Sequence, residues 1–393
     1  MGSRSMMSDK PVILQVLPAL GTGGVERGTV DMAQGIIAAG GIAIVASADG
    51  IWKNSLERMG AIYIDLPLNS KKPWVIWKNQ FALEKVIREY RVDIVHVRSR
   101  APAWSAWLAI KKTKAHFITT WHGVFSETWR GKRWYNQVMT KGERVIAISH
   151  YIADRLKTHY GVKEQQLRIV PRGVDLTNFD PNLSFGERVA DLAKKWGIVE
   201  TQKVILLPGR LTEWKGHELL VLAMAKLQQQ YQEWICVFVG PSKGKDKFTQ
   251  RLLTLANQLH VRDRLYFVGN CQDMPAAFML ANIVVVPSLK PEPFGRVVIE
   301  AQAMERSVVV ANHGGAAETV KDKKTGYVFE PGNSDDLAKI LQELMEASEA
   351  DLQWVGRLAR EDVQESYTLE QMQQATLRVY NELLPETKQL NCL

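Results

Sequence analysis

The chain has 393 residues, of which 46% are hydrophobic and 23% charged, a composition typical of a soluble globular protein. This length exceeds what one ordinary hydrophobic core serves, so we expect two domains. The formal net charge of +8 favours an anionic partner, either nucleic acid or a charged surface. No run of about 18 apolar residues is present, so we expect neither a membrane-spanning helix nor a secretory signal.

The cysteines Cys236, Cys271 and Cys392 are few, odd in number and scattered. This usage predicts neither a disulfide framework nor a metal site, and it favours a reducing cytoplasm. Cys236 lies in the apolar run WICVFVG and is expected to be a buried thiol. The sequence has no D-x-D motif and no His/Cys cluster, so we expect no metal and no cofactor.

Short apolar or β-branched runs alternate with longer amphipathic segments through most of the chain. In the first half the predicted strands are PVILQVLPAL, IAIVASA, DIVHVRS, HFITTWHG and RVIAIS, and the predicted helices include FALEKVIREY and ISHYIADRLKTHYG. A second series begins near residue 203 with KVILLPGR, WICVFVG, LYFVGN, IVVVPS and SVVVANHGG. Such alternation predicts two parallel sheets covered by helices. Residues 168–182 are rich in turn residues and are interpreted as the linker.

The loop after the first predicted strand, LGTGGVERG, is rich in glycine and leads into a helix. It departs from the dinucleotide-binding pattern G-x-G-x-x-G, because Glu26 occupies the place of the third glycine. Gly23 and Gly24 let the backbone approach a phosphate or sugar closely, and a tight turn without a ligand explains them equally well. Ligands of open parallel sheets bind beyond the carboxyl ends of the strands, so two such sheets facing each other would share one cleft.

The stretch EPFGRVVIE, residues 292–300, places two glutamates across a predicted strand–loop–helix junction. Phe294 and Gly295 lie at the predicted helix start, where backbone N–H groups and the helix dipole favour an anion. Glu292 precedes this helix, and Glu300 lies inside it. Two carboxylates on either side of an anion site suit a ligand with phosphates in its middle and hydroxyls at both ends, such as a nucleotide-sugar.

The second series opens with LLPGRLTEWKGHE, in which Arg210 and Lys215 follow a strand end. A leaving nucleoside diphosphate gains negative charge as the sugar bond breaks. Arginine stabilises such charge with a planar fork of donors, and lysine with a compact point charge. Taken singly, each is more simply a solvated surface cation. Their position between a strand end and a helix start favours the functional interpretation.

Several motifs, in chain order GTGGVERG, TWHG, VPRGVD, LLPGRLTEWKG, FVG, PSLKPEPFGRVVIEAQAM and GGAAE, resemble those of family 4 of the retaining glycosyltransferases. The resemblance spans nearly the whole chain, and the paired glutamates around PFG are fairly specific to this group. It implies the α/β GT-B fold, in which two Rossmann-like parallel-sheet domains face each other across a cleft. We therefore expect an acceptor-binding domain over 7–178, a nucleotide-sugar-binding domain over 179–369, and a C-terminal helix over 370–393 that packs back on the first domain.

The resemblance also implies roles for individual residues at the donor. Glu300 would bind the ribose hydroxyls of the nucleotide, and Glu292 would bind hydroxyls of the transferred sugar. The backbone amides around Phe294 and Gly295 would assist Glu292.

On the phosphate side, the resemblance implies that Arg210 and Lys215 hold the diphosphate and stabilise it as it leaves. His122, in TWHG, would lie near the donor sugar, with a structural histidine at a strand end as the alternative. Arg172 stands where many members have asparagine, so its role stays open. The remaining implied residues lie near the phosphates or the base: Gly23, Gly24, Gly269 and Asn270.

No residue in the sequence is an unambiguous base for an inverting transfer or nucleophile for a double displacement. In the resembling family, the leaving phosphate oxygen takes the proton of the acceptor, and configuration is retained. The resemblance therefore implies a retaining, metal-independent hexosyltransferase that uses a UDP- or GDP-hexose. The implied acceptor is a glycan or lipid-linked molecule of lipopolysaccharide or cell-surface polysaccharide biosynthesis. A nucleotide-sugar epimerase of similar fold and a non-catalytic nucleotide-sugar-binding protein remain as alternatives.

Basic residues and tryptophans occur together in the first third of the chain. The first 134 residues hold eight of the twelve tryptophans, several beside cations in KKPWVIWK, IKKTK and WRGKRWYNQ. Such pairs suit a membrane interface with anionic lipid, whereas a tryptophan-containing core with solvated lysines is the alternative. No nucleic-acid motif is present, so we expect no nucleic-acid partner. We expect peripheral contact with the inner face of the cytoplasmic membrane through Trp129, Lys132, Arg133 and Trp134.

Overall fold

The computed structural model describes residues 10–392, apart from residues 22, 126–129, 184 and 242–246. The chain divides into two compact units. Unit 1 comprises Met1–Pro171 and Leu369–Leu393, and unit 2 comprises Arg172–Thr368. Each unit is built on one parallel β-sheet, as the alternating sequence pattern predicts.

The sheet of unit 1 has seven strands: β1 (Val12–Ala19), β2 (Ile42–Ala48), β3 (Ile62–Asp65), β4 (Ile94–Val97), β5 (His116–Trp121), β6 (Arg144–Ala147) and β7 (Leu167–Ile169). Their order is β3-β2-β1-β4-β5-β6-β7. The helices of this part of the chain are α1 (Gly24–Ala38), α2 (Lys53–Arg58), α3 (Pro73–Glu89), α4 (Arg100–Ile110), α5 (Arg130–Asn136) and α6 (His150–Tyr160).

Burial on both faces explains the apolar strand sequences of unit 1. In β1, the side chains of Ile13, Leu14 and Leu17 are fully buried, because helices cover both faces of a parallel sheet. The helix boundaries follow local chemistry. α6 begins after Ser149, whose hydroxyl accepts the N–H of Ile152, and it ends at Gly161 in the left-handed conformation.

The sheet of unit 2 has six strands: β8 (Lys203–Pro208), β9 (Trp234–Val239), β10 (Leu265–Gly269), β11 (Ile283–Val286), β12 (Ser307–Ala311) and β13 (Tyr327–Phe329). Their order, β10-β9-β8-β11-β12-β13, is that of a doubly wound dinucleotide-binding sheet. The helices are α7 (Gly186–Trp196), α8 (His217–Leu227), α9 (Lys247–Gln258), α10 (Met274–Leu280), α11 (Arg296–Ala303), α12 (Gly314–Ala317), α13 (Ser334–Glu346) and α14 (Glu349–Ser366).

The C-terminal helix α15 (Leu369–Asn381) belongs to unit 1, where it packs on α1. Tyr380 is fully buried there, and its hydroxyl is 2.6 Å from Nδ1 of His96 on β4. The other ring nitrogen of His96 is 2.7 Å from the hydroxyl of Thr120 on β5. This buried chain of polar groups connects the C-terminal helix to the centre of the first sheet, and burial raises the pKa of Tyr380.

Three strands, β3, β7 and β13, are absent from the sequence prediction. Each is three or four residues long and lies at the edge of its sheet. Runs this short show no measurable alternation of apolar and polar residues. β7 also includes residues 168 and 169, the first two residues of the segment 168–182 that was interpreted as the linker.

Unit 2 begins at Arg172, a few residues before the predicted boundary at 178/179. The intervening segment belongs to unit 2 because the N–H of Val174 donates to the carbonyl oxygen of Tyr367 at 2.9 Å. Phe179, which follows this segment, is anchored in unit 2 as well. Its ring lies 6.3 Å from that of Phe278, and its carbonyl oxygen accepts a bond from Arg360 at 3.1 Å. Cys236 is a fully buried free thiol, which confirms that prediction. No helix within the described ranges combines the length and apolar character needed to cross a bilayer.

Candidate active site

The strand order of unit 2 reverses between β8 and β11. Ligands of doubly wound sheets bind at such a switch point, outside the carboxyl ends of the two strands. The loop after β8 carries Lys215, and the loop after β11 carries Glu292. The topology therefore brings together two predicted site residues that are 77 positions apart.

Lys215 and Glu292 form an ion pair with 2.5 Å between Nζ and Oε1, and only 16% and 11% of their side chains are exposed. The same carboxylate oxygen accepts a bond from Ser288 Oγ at 2.6 Å. Nζ of Lys215 also lies 4.5 Å from the centroid of the Trp214 ring. Water screens charges weakly at this depth, and each charge needs partners to offset its desolvation. The pair thus holds both charged groups in place at the switch point.

Two glycines allow the backbone segments of the site to pack closely. Gly216 follows Lys215 with φ 76°, and a side chain there would overlap the carbonyl oxygen of Pro287 at the end of β11. Gly295 has φ 86°, and a Cβ at this position would lie 2.6 Å from that of Ala316. Only glycine combines a positive φ with such close approach. The loops after β8 and β11 are therefore fixed against their neighbours by the absence of a side chain.

Hydrogen bonds from the segment after β12 hold the loop that carries Glu292. The N–H of Gly315 donates to the carbonyl oxygen of Glu292 at 2.7 Å. Nε2 of His313 lies 2.7 Å from the carbonyl oxygen of Ser288. The position of the carboxylate therefore depends on the neighbouring segment after β12, which makes both contacts with the loop that carries Glu292.

Helix α11 begins directly after Gly295, as predicted, and carries the second glutamate. Glu300 has 13% of its side chain exposed, and its Oε1 lies 2.9 Å from Nε of Arg296 one turn earlier. Phe294 is buried, with its ring 6.0 Å from that of Tyr367. Both glutamates of the EPFGRVVIE motif are therefore largely buried and paired with a cation.

The carboxyl ends of β8, β9 and β10 present backbone with little side chain. The N–H of Gly209 donates to Val239 O at 2.8 Å, and the N–H of Gly240 donates to Gly269 O at 2.8 Å. Gly269 has φ 72°, and the space beside its Cα is open. Asn270 is exposed directly after it. The backbone along this row is open to a flat ligand group, and the role predicted for Gly269 and Asn270 near the base stays a prediction.

Arg210 follows Gly209 and is exposed, in contrast to Lys215. No contact found among the described residues joins Arg210 to Lys215 or to Glu292. The prediction that Arg210 and Lys215 hold one diphosphate stays a prediction.

Gly23, Gly24 and His122 belong to unit 1. Gly23 follows β1 as the residue before α1, and the side chain of Glu26 folds back over it. His122 is half-buried and directly follows β5. All three lie at carboxyl ends of strands, and their predicted roles toward the donor stay predictions.

Ser288, His313 and Arg296 were not predicted as site residues. The pairing of Arg296 with Glu300 could have been found, because residues at i and i+4 of a helix are neighbours. The contact between His313 and Ser288 joins loops after different strands, and no local sequence pattern predicts it.

His217 was also missed, and it supports the loop that carries Lys215. It is fully buried as the first residue of α8, with its ring 5.3 Å from that of Phe238. Burial is the main cause that lowers the pKa of His217 to about 4. The ring is therefore neutral near pH 7, and it adds no charge beside Lys215.

The positively charged side chains near the switch point include Arg210, Lys215, Lys290 and Arg296. In the parts of the chain that the structure describes, no group of three or more His, Cys, Asp or Glu side chains is arranged to hold a metal ion. Side-chain cations and the amino end of α11 are the groups that can receive an anionic ligand here.

Two family models match the chain: residues 22–178 match Glycosyltransferase Family 4, and residues 189–360 match Glycosyl transferases group 1. The crystal structure of a glycosyltransferase from Rickettsia africae is 36% identical to this chain, with a TM-score of 0.88 over 96% of this chain and 100% of that one. The chain belongs to the GT-B glycosyltransferases. The predicted fold is confirmed, and so is the resemblance as far as membership of this group.

Other proteins are similar to this glycosyltransferase in sequence or in fold. The putative glycosyltransferase YtcC of Bacillus subtilis is 26% identical over 339 residues, which are 84% of this chain and 81% of YtcC. The structure of Anabaena Alr3699/HepE in complex with UDP-glucose has a TM-score of 0.79 at 21% identity, over 94% of this chain and 99% of HepE. The structure of WaaG, a glycosyltransferase involved in lipopolysaccharide biosynthesis, has a TM-score of 0.72 at 17% identity, over 92% of this chain and 98% of WaaG.

Proposed function

We propose that this glycosyltransferase is a retaining, metal-independent hexosyltransferase that uses a UDP- or GDP-hexose as donor. The observation that carries the proposal is the Lys215–Glu292 ion pair at the switch point of unit 2. The ammonium group of Lys215 suits a diphosphate, and the carboxylate of Glu292 suits sugar hydroxyls. The two groups lie side by side. A nucleoside diphosphate sugar presents these two chemical groups next to each other.

Donor binding would reorganise the ion pair and leave neither charged group without a partner. A diphosphate beside Lys215 supplies new anionic partners for the ammonium group. Glu292 keeps the bond from Ser288 and exchanges its bond with Lys215 for sugar hydroxyls. Each buried charge remains compensated, so the desolvation cost of the free site is not added to the cost of binding.

The two glutamates are better suited to holding the donor than to attacking it. Glu292 is bonded to Lys215 and Ser288, and Glu300 is paired with Arg296. Neither is a free carboxylate nucleophile. We therefore propose that the leaving phosphate oxygen takes the proton of the acceptor hydroxyl as the sugar bond breaks. The protein positions the reactants, and Lys215 and Arg210 stabilise the diphosphate.

For the acceptor we propose a glycan or a lipid-linked molecule of lipopolysaccharide or cell-surface polysaccharide biosynthesis. The similarity to WaaG supports this choice, and the similarity to HepE supports a UDP-hexose donor. We further propose that the protein works in the cytoplasm at the membrane. Of the predicted contacts, Trp134 is 61% exposed and stacks on Trp104 at 4.7 Å, and Arg133 is exposed. Lys132 is half-buried, and Trp129 lies outside the described residues.

A thermal-shift screen of nucleotide-sugars tests this function. A ligand present at 100 times its Kd stabilises the native state by about 2.7 kcal/mol, which raises the melting temperature by several degrees. We expect a shift with one UDP- or GDP-hexose, unchanged when a chelator is added. A shift that requires a divalent cation would contradict the metal-independent mechanism. Incubation with donor alone distinguishes a glycosyltransferase from an epimerase, because an epimerase would convert the donor into a second sugar nucleotide.

A further inference from the structure

The outer face of α3, in unit 1, carries large aromatic side chains where a surface helix usually carries polar ones. Trp74, Trp77 and Phe81 have 60%, 58% and 43% of their surface exposed. On the opposite face, Leu83 and Ile87 are buried in the ordinary way. Adjoining exposed apolar side chains mark an interaction surface, whereas single ones do not.

Six of the eight exposed residues of α3 follow the helical period, and the other two are Pro73 and Glu89. At 100° per residue, positions 74, 77, 78, 81, 85 and 88 fall within one stripe about 100° wide. This stripe reads Trp, Trp, Lys, Phe, Lys, Arg. It is about 21 Å long at 1.5 Å per residue, with its rings toward the amino end and its cations toward the carboxyl end.

Cations also surround the rings from outside the stripe. Nζ of Lys72 lies 5.4 Å from the ring centroid of Trp74, and Nζ of Lys112 lies 5.5 Å from that of Phe81. The rings of Trp77 and Phe81 meet edge to face at 4.8 Å. The aromatic ridge is therefore flanked by lysines, an arrangement that suits a surface that is apolar inside and anionic outside.

A basic cavity of about 650 Å³ lies at the carboxyl end of the same helix. Asp93 is the carboxylate in its lining, and it is bonded to Lys388 Nζ at 3.0 Å and to the N–H of Val12 at 2.8 Å. Within the described part of the chain, neither Arg91 nor Lys114 has an ion-pair partner. The cations of the lining are Arg88, Arg91, Lys112, Lys114 and Lys388.

The acidic groups near this cavity compensate only part of its charge. Glu84 holds Arg88, with 3.0 Å between Oε1 and Nη2, and lies 3.9 Å from Lys112 Nζ. Arg88 also donates to the carbonyl oxygen of Lys112 at 2.6 Å. The surface between the carboxyl end of α3 and Lys112, which follows α4, therefore retains net positive charge next to the exposed ring of Phe81.

We propose that the α3 surface, defined as Trp74, Trp77, Phe81 and the basic cavity, binds the surface of an anionic phospholipid bilayer. The rings enter the boundary between headgroups and acyl chains, the lysine stems extend to the headgroups, and the cavity receives a lipid phosphate. The proposal extends the membrane contact within the proposed function and makes α3 its main surface. It does not depend on the transfer reaction.

The position of α3 gives this contact a use. The helix follows β3 and precedes β4, so its tryptophan end lies toward the carboxyl ends of the strands of unit 1 and its basic end toward their amino ends. Ligands of a parallel sheet bind at the carboxyl edge. Rings buried in a bilayer would thus keep that edge close to the lipid surface, where a lipid-linked acceptor is found.

Vesicle co-sedimentation of the full-length protein tests the proposal. We expect binding to vesicles that contain phosphatidylglycerol, weaker binding at high salt, and little binding to phosphatidylcholine alone. The variant W74S/W77S/F81S should bind at least about tenfold more weakly, because the apolar contribution is lost. The variant R91A/K114A should bind about 30-fold more weakly, because two cations near the surface are lost.

A matched control comes from unit 2, where Trp354 on α14 is 59% exposed. Trp354→Ser removes an equally exposed ring and should leave vesicle binding unchanged. A second comparison, R133A/W134S, removes the contact that the sequence predicted on α5, and it should weaken binding less than the α3 variants. Thermal shift with nucleotide-sugars should be the same in all variants, so a failed membrane contact is distinguished from a failed donor site.

Three results would overturn the proposal. The first is a wild-type protein that does not sediment with anionic vesicles. The second is an aromatic triple variant that binds them as the wild type does. The third is self-association of the wild type that the triple variant abolishes, which would make the surface an interface between two copies of the chain.

Discussion

Lys215 and Glu292 are the two residues on which the proposed transfer reaction depends most. Each is a charged side chain with little exposure, held by its partner and by a further contact from Ser288 or Trp214. Burial makes the charge effective, because a donor in this position meets a fixed cation that water screens weakly.

Replacing Lys215 by alanine should reduce release of nucleoside diphosphate from the donor by about 10²- to 10³-fold, because the leaving group loses its fixed cation. Steady-state kinetics measures the loss, and circular dichroism shows whether the fold persists. Lys226→Ala is the matched control, because Lys226 pairs with Asp335 on the surface of the same unit and should be dispensable. Full activity in the Lys215 variant would remove this residue from the mechanism.

Glu300→Ala should raise the KM for the donor by at least about tenfold with a smaller effect on kcat, because the implied ribose contact is made equally in the ground and transition states. The same variant leaves Arg296 without its partner. Arg296→Ala therefore serves as the comparison. If both variants lose donor affinity equally, the effect belongs to the ion pair, and a direct ribose contact by Glu300 is contradicted.

His217 should make the protein less stable in mild acid. Its pKa is about 4 in the folded protein and 6.5 in the unfolded chain, so the unfolded state binds the proton more readily between these values. The contribution to stability is fully present above pH 6.5, and about 3 kcal/mol is lost by pH 4. In His217→Phe the free energy of unfolding should fall less steeply over this range. Parallel curves for variant and wild type, from denaturant titrations at several pH values, would contradict the assignment.

At the level of elements, loops packed through glycine fix the geometry of the site. Gly216 brings the loop after β8 against the end of β11, and Gly295 brings the start of α11 against Ala316. The motif EPFGRVVIE predicts the helix start and the two glutamates. It does not predict that Gly295 is required by the segment after β12, because this contact joins residues distant in sequence.

Gly295→Ala should cost about 3 kcal/mol, since strain at positive φ is added to an overlap with Ala316. Gly332 has φ 79° and open space around it, so Gly332→Ala isolates the backbone strain and should cost about 1 kcal/mol. Differential scanning calorimetry of both variants measures the difference in melting temperature. Equal losses would show that the packing on Ala316 contributes nothing.

At the level of the whole molecule, the sequence is a good guide to what is local and repeated. Buried strands show as apolar runs, so ten strands and both parallel sheets could be predicted from the pattern. The strands that were not predicted, β3, β7 and β13, are short edge strands. They are recognised by their pairing with a neighbouring strand, which the local sequence does not show. The α3 surface shows the same limit. KKPWVIWK indicates an aromatic and basic segment, but only the fold shows that Trp74 and Trp77 face outward.

The site follows the same rule. The switch point between β8 and β11 arises from strand order, which no single segment encodes. The pairing of Lys215 with Glu292 follows from that order and was not predicted, although both residues were chosen for their chemistry. His313 and His217 were missed because their contribution is a contact made across loops or in the core.

Titration calorimetry of UDP and GDP against the wild type and the two lysine variants tests the central claim most directly, namely that the switch point of unit 2 binds a nucleoside diphosphate through Lys215. We predict that one of the two nucleotides binds the wild type and Lys226→Ala equally, and Lys215→Ala at least about tenfold more weakly, as for loss of one charge-assisted contact. Equal affinity in all three proteins, or no binding of either nucleotide to the wild type, would contradict the claim.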